Sequence, residues 1–113
     1  MRTVQDLPET ERSVLREFRR QIQEEFPEWS FQLTLFGSRA RGDAGPDSDM
    51  DVLIQVETER VSFPEKQRLR RVAGEISMDF GIVLSLLVSD RRLRGERGDF
   101  SIFQTIRDEG IQV

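Results

Sequence analysis

Between Val14 and Trp29 the spacing of apolar residues changes from that of a helix to that of a strand, and a proline stands at the change. Val14, Leu15, Phe18, Ile22 and Phe26 recur at helical intervals, whereas Trp29, Phe31, Leu33 and Leu35 alternate with Ser30, Gln32 and Thr34. The first pattern requires a helix with one apolar stripe, and the second requires a half-buried strand. Pro27 separates them, because the residue before a proline avoids the α region. Such a junction excludes a purely helical bundle and a purely β sandwich, and it predicts a helix packed on a sheet. Asp6-Leu7-Pro8-Glu9 reads as the start of the helix, with Asp6 as cap and Glu9 three residues on.

The same alternation of types continues. Met50–Val56 reads as a second strand, and Ser62 with Glu65 forms a capping pair for a helix carrying Leu69, Val72, Ala73, Ile76 and Phe80 up to Gly81. Residues 82–88 are apolar except for Ser85, as expected of a strand covered on both faces, in which the Ser85 hydroxyl is buried and bonded to backbone. Arg91, Arg92, Arg94, Gly95, Arg97 and Gly98 read as a basic loop, before Asp99 caps a last helix bearing Phe100, Phe103 and Ile106 and stopping at Gly110. The order helix, strand, strand, helix, strand, helix predicts an α/β fold with a small mixed sheet flanked by helices. A length of 113 residues sets one domain, 1–113, as the expectation.

Composition narrows the chemistry. With 17 Lys and Arg against 21 Asp and Glu, the net charge is -4, which disfavours binding to nucleic acid or an anionic membrane. Cysteine and histidine are both absent, which removes thiolate chemistry, sulfur-bound zinc and the commonest general base. Carboxylates remain as the reactive groups. No apolar run approaches the ~18 residues of a membrane span, and a cysteine-free chain with no signal-peptide core is expected in the cytoplasm.

Those carboxylates occur where the chain is also richest in glycine. Residues 37–48, Gly-Ser-Arg-Ala-Arg-Gly-Asp-Ala-Gly-Pro-Asp-Ser, join the first two strands, and Asp49-Met50-Asp51 opens the second. Asp49 and Asp51 are two apart on a strand, so their side chains project from one face, separated by roughly 6.5 Å of strand rise. An oxygen-only pair of this kind suits Mg²⁺, which takes one or two protein carboxylates and completes its shell with phosphate and water. Gly37 permits close approach of backbone to a ligand, Ser38 offers a hydroxyl and an N–H, and Arg39 and Arg41 add positive charge. Each part alone has an ordinary explanation in turns and solvated surface. Together they are the parts of metal-assisted attack on a nucleoside triphosphate. The arginines at 68, 70 and 71 read as a solvated helix face, and the 91–97 group as a surface for a nucleic-acid or acidic protein partner, although no aromatic residues are interleaved there for base stacking.

Gly37-Ser38-Arg39-Ala40-Arg41-Gly42, followed by Ser48-Asp49-Met50-Asp51 and Val52-Leu53-Ile54, resembles the signature of minimal nucleotidyltransferases of the DNA polymerase beta superfamily, and nearly the whole chain, through Ile106–Ile111, is similar to that family. The resemblance implies a polymerase-beta-like nucleotidyltransferase fold. It makes Asp49 and Asp51 the metal-binding, catalytic carboxylates and assigns Gly37, Ser38, Arg39 and Arg41 to the nucleotide. It implies Mg²⁺-dependent transfer of a nucleoside monophosphate, AMP from ATP, to a hydroxyl of a partner such as a helical HEPN-domain protein of a toxin–antitoxin pair, in a homo- or hetero-oligomer. Catalytically complete members carry a third carboxylate on the later strand. Here that position falls on Ser85, and neither Asp79 nor Asp90 replaces it, while Asp43 and Asp47 lie in the loop. The alternative is therefore an antitoxin-like module that binds a nucleotide or a partner with impaired catalysis.

Overall fold

The structure, a computed structural model, describes residues 2–97 and 101–113. The expected features at Gly98, Asp99 and Phe100 lie outside the described residues. Helix α1 (Glu9–Glu25) is followed by strand β1 (Phe31–Phe36), a single turn of helix α2 (Ser38–Arg41), β2 (Met50–Val56), α3 (Phe63–Phe80), β3 (Leu84–Ser89), α4 (Arg91–Arg97), α5 (Ser101–Glu109) and a short β4 (Ile111–Gln112). The sheet has the order β3-β2-β1-β4 and is mixed, as expected. β1 runs antiparallel to β2 and β4, and β2 runs parallel to β3.

One sheet face carries Leu33, Leu35, Met50, Val52, Ile54 and Val56, and packs against Val14, Leu15, Phe18 and Ile22 of α1 and Leu69, Val72 and Ile76 of α3. This is the main core, and it uses the apolar stripes legible in the sequence. On the other face Leu53 packs with Phe103 and Ile106 of α5, and Phe36, Leu87 and Leu93 border them. α5 covers only part of that face, so Asp51 and Ser85, which share it with Leu53 and Leu87, remain accessible.

The capping pair at α3 forms as expected: Ser62 N donates to Glu65 Oε1 at 2.8 Å, Glu65 N donates to Ser62 Oγ at 3.3 Å, and Gly81 closes the helix at φ 70°. At α1 the expectation is corrected. Asp6 belongs to a preceding 3₁₀ turn (Val4–Asp6), where it accepts from Thr3 N at 2.7 Å, and α1 starts after Pro8. Glu9 turns instead to Arg12, Ser13 and Arg16 on its own helix, the partners that i+3, i+4 and i+7 spacing supplies. Trp29 lies ahead of β1, and its ring stacks on Phe26 with centroids 3.8 Å apart.

Two further expectations are corrected on the β3 side. β3 is an edge strand whose second face is covered only in part, at Leu87, leaving Val83 58% exposed just ahead of it and Ser85 exposed within it. The segment 91–97 is helix, not loop. Asp90 caps it by accepting from Leu93 N at 2.8 Å, while its other oxygen accepts from Val61 N at 2.9 Å. Leu93 then packs beside the Leu53 cluster, and that contact holds a turn of helix where Gly95 suggested a break. The sequence pattern offers no strand at β4, which pairs Ile111 with Leu35 and Gln112 with Thr34, and Gly110 just ahead of it lies so close to Thr34 and the Ile106 carbonyl that no β-carbon would fit.

Candidate functional site

The antiparallel register pairs Phe36 with Asp51, and the parallel register pairs Asp51 with Ser85. The three residues are thus neighbours across three strands, at the end of the sheet where β1 leaves and β2 enters. Gly37 follows at φ 75° and ψ -159°, a backbone conformation that excludes ordinary side chains, and starts the turn α2. A β-carbon at Gly37 would collide with Asp51 Oδ2. The carboxylate of Asp51 therefore rests directly against the Gly37 backbone, which links two of the residues singled out in the sequence by contact.

Asp51 is half-buried and Asp49 exposed. Burial pushes the Asp51 carboxyl above the ordinary carboxylate range, the negative charge of Asp49 pushes it the same way, and Arg41 partly offsets them. Among the described residues no third Asp, Glu, His or Cys completes a metal-binding group with the pair. Ser85, whose hydroxyl was expected to be buried and bonded to backbone, is exposed at the register position beside Asp51. An edge strand next to an open face does not cover it.

Ser38 opens the turn, and its carbonyl accepts from Gly42 N at 2.9 Å and Asp43 N at 3.1 Å. Arg41 lies at the surface, with Asp43 at 3.2 Å and Glu109 at 3.4 Å. Arg39 is different. Its side chain is 9% exposed, and Nε and Nη2 donate to the Ser48 carbonyl at 2.9 and 2.7 Å, with Glu11 at 3.4 Å from Nη1. Glu11 sits on the apolar stripe of α1, 6% exposed, and is a member of the site neighbourhood outside the Gly-Ser and Asp-x-Asp motifs. The signal was available, since Glu11, Leu15, Phe18 and Ile22 share a helical face, and an acid there requires a buried cation. Asp43 and Asp47 are both exposed in the loop. Farther along the same sheet face Gln32, Thr34, Gln55 and Phe103 line a cavity of about 270 Å³, which the carboxylate pair does not reach.

Comparison with known proteins identifies the family. A family profile described as a nucleotidyltransferase domain matches residues 15–103, which takes in the Gly37 turn, both aspartates and Ser85. Two proteins of Methanocaldococcus jannaschii, each described as a candidate protein adenylyltransferase, are similar to the chain. One is 29% identical over 100 residues, covering 88% of this chain and 95% of its own, and the other is 24% identical over 100 residues, covering 88% and 94%. The mixed sheet with its flanking helices is consistent with that fold. With the profile spanning most of its length, through the Gly-Ser turn on which Asp51 is seated, the chain belongs to the nucleotidyltransferase domain family, a family of transferases.

Proposed function

We propose that the chain transfers the adenylyl group of ATP to a hydroxyl of a partner protein, with Mg²⁺ held by Asp49 and Asp51. The observation that carries this reading is the seating of Asp51 against Gly37, which joins a carboxylate pair to a turn whose backbone a triphosphate can approach. The donor set fits the metal. Both donors are hard oxygens, neither accepts a hydrogen bond among the described residues, and their mutual repulsion on a partly buried edge is what a divalent cation relieves. A bound Mg²⁺ would neutralise charge on the phosphates and on the departing pyrophosphate.

The chain's own residues do the rest. Gly37 lets the phosphates lie close to backbone, Ser38 offers its hydroxyl and N–H, and Arg41 supplies surface positive charge on the same side. As the acceptor oxygen bonds to the α-phosphorus, the bond to pyrophosphate breaks. Ser85 cannot take the acceptor's proton as a carboxylate would, so that proton leaves to water. The description of both relatives supports adenylyl transfer to protein, and the family resemblance supports a helical HEPN-domain protein as acceptor in a cytoplasmic toxin–antitoxin pair.

A second reading is favoured by one observation, the exposed hydroxyl of Ser85 in register with Asp51: an antitoxin-like module that binds nucleotide or partner with impaired catalysis. Calorimetric titration with ATP, GTP, CTP and UTP, with and without Mg²⁺, tests both. Mg²⁺-dependent binding, strongest for ATP, is expected, and Asp49→Asn or Asp51→Asn should weaken it by more than about 100-fold with an unchanged circular dichroism spectrum. Binding that persists in the mutants overturns the metal assignment. ATP binding by the parent without Mg²⁺-dependent pyrophosphate release in the presence of the HEPN protein favours the second reading.

A further inference from the structure

We infer that Arg39 and Glu11 are positioning residues that fix the backbone of Asp49, and that Arg39 serves the nucleotide only through this clamp. Asp49 stands between a loop and a strand, and its two flanking peptide units are held differently. On the strand side Met50 N donates to the Val83 carbonyl at 2.8 Å, which the sheet register supplies. On the loop side the Ser48 carbonyl accepts from both Nε and Nη2 of Arg39, at 2.9 and 2.7 Å, and Nη2 lies 3.5 Å from the Pro46 carbonyl. Without that fork the hydrogen bonds left on the loop side of Asp49, among the described residues, would be those of the small turn in which Gly45 N donates to Ser48 Oγ at 3.0 Å and Ser48 N donates to the Gly45 carbonyl at 3.2 Å.

The fork is itself held from behind. Glu11 Oε2 lies 3.4 Å from Arg39 Nη1, and both side chains are 9% exposed. The other oxygen, Oε1, is buried with no hydrogen-bond partner. A buried carboxylate that leaves one oxygen unsatisfied opposes folding unless its charge is matched, so its place on the core-facing stripe of α1 is explained by the guanidinium it orients. The arrangement connects α1, which packs on the opposite sheet face, to the backbone of a proposed metal ligand. A guanidinium enclosed in this way differs from one lending charge to a phosphate, which would need an open face toward the ligand.

The inference rests on the function proposed above for Asp49, and its test separates the two. Hydrogen exchange of the amides from Asp43 to Met50 and calorimetric titration with Mg²⁺ and ATP would be measured for the parent, Arg39→Lys, Glu11→Gln and the double variant. Lysine keeps the charge and loses the fork. Loop exchange is expected to quicken by about tenfold or more in both single variants while β1 and the rest of β2 stay protected, and the Mg²⁺-dependent affinity for ATP to fall by about tenfold. The double variant should fall short of the product of the two effects, because both act on one clamp. Affinity retained in Arg39→Lys and insensitive to Glu11→Gln overturns the inference. So does exchange that quickens equally in β1 and β2, the signature of a merely structural pair. A parent that binds no nucleotide removes the proposed function, and the clamp then stands or falls on loop exchange alone.

Discussion

At the scale of single residues the site is built on a tension that the fold tolerates. Asp51 ionises less readily in the folded chain than in the unfolded one, because burial and the neighbouring Asp49 both oppose its charge. For a carboxyl raised in this way, ionised Asp51 opposes folding at every pH above its folded pKa, and the effect disappears as the pH falls below the ordinary value of 3.8. In the metal-free chain Asp51→Asn should therefore melt at a higher temperature than the parent at pH 7, with the gap closing toward pH 3.8. Equal midpoints at pH 7 would show that the carboxylate is not under strain. Asp90 presents the opposite case. Burial works against its ionisation, but the amides of Leu93 and Val61, aided by the charges of Lys66 and Arg92, hold the carboxyl below the ordinary range. Its contribution is present above pH 3.8 and is lost as the pH drops through the folded value. Asp90→Ala, which orphans two amides, should cost about 2 kcal/mol at pH 7 in urea unfolding, and less in acid.

At the scale of elements the decisive feature is the parallel pairing of β2 with β3. Strand β3 enters the sheet with Leu84 beside Met50, so that Ser85 lies beside Asp51 on the site face. A slip of one residue would turn Ser85 into the core and bring Leu84 or Leu86 to the aspartates. The Ser77 hydroxyl helps set the entry, donating to the Ala73 carbonyl at 2.7 Å and accepting from Leu84 N at 2.9 Å. Ser85 thus stands in register with Asp51, and in the function proposed above this is the position that the family resemblance gives to a third carboxylate. Ser85→Asp is accordingly expected to raise Mg²⁺-dependent pyrophosphate release from ATP by about 100-fold, the usual scale for a positioned general base. Unchanged release would mean that the third position does not limit this chain.

At the scale of the whole molecule the main core and the candidate site occupy opposite faces of the sheet, so stability set by that core and binding should be separable. Phe18 is fully buried in the main core, and Phe18→Ala should cost about 3–5 kcal/mol, a large part of the 5–15 kcal/mol typical of a domain. Nucleotide affinity of the fraction that stays folded should be unchanged, which titration below the melting temperature would check. The amino-acid sequence by itself determined the helical stripe of α1, the alternating strand β1, the cap of α3 and the Gly-Ser turn with its Asp-x-Asp pair, because periodicity and turn chemistry act over a few residues. Only the tertiary structure decided the rest. That Asp51 rests on Gly37, that Ser85 stands beside Asp51, that Glu11 meets Arg39 across 28 positions and that Leu93 turns an expected loop into helix are contacts between segments distant in the chain. Local patterns say which face a residue takes, and only packing and strand register say which residue it meets there.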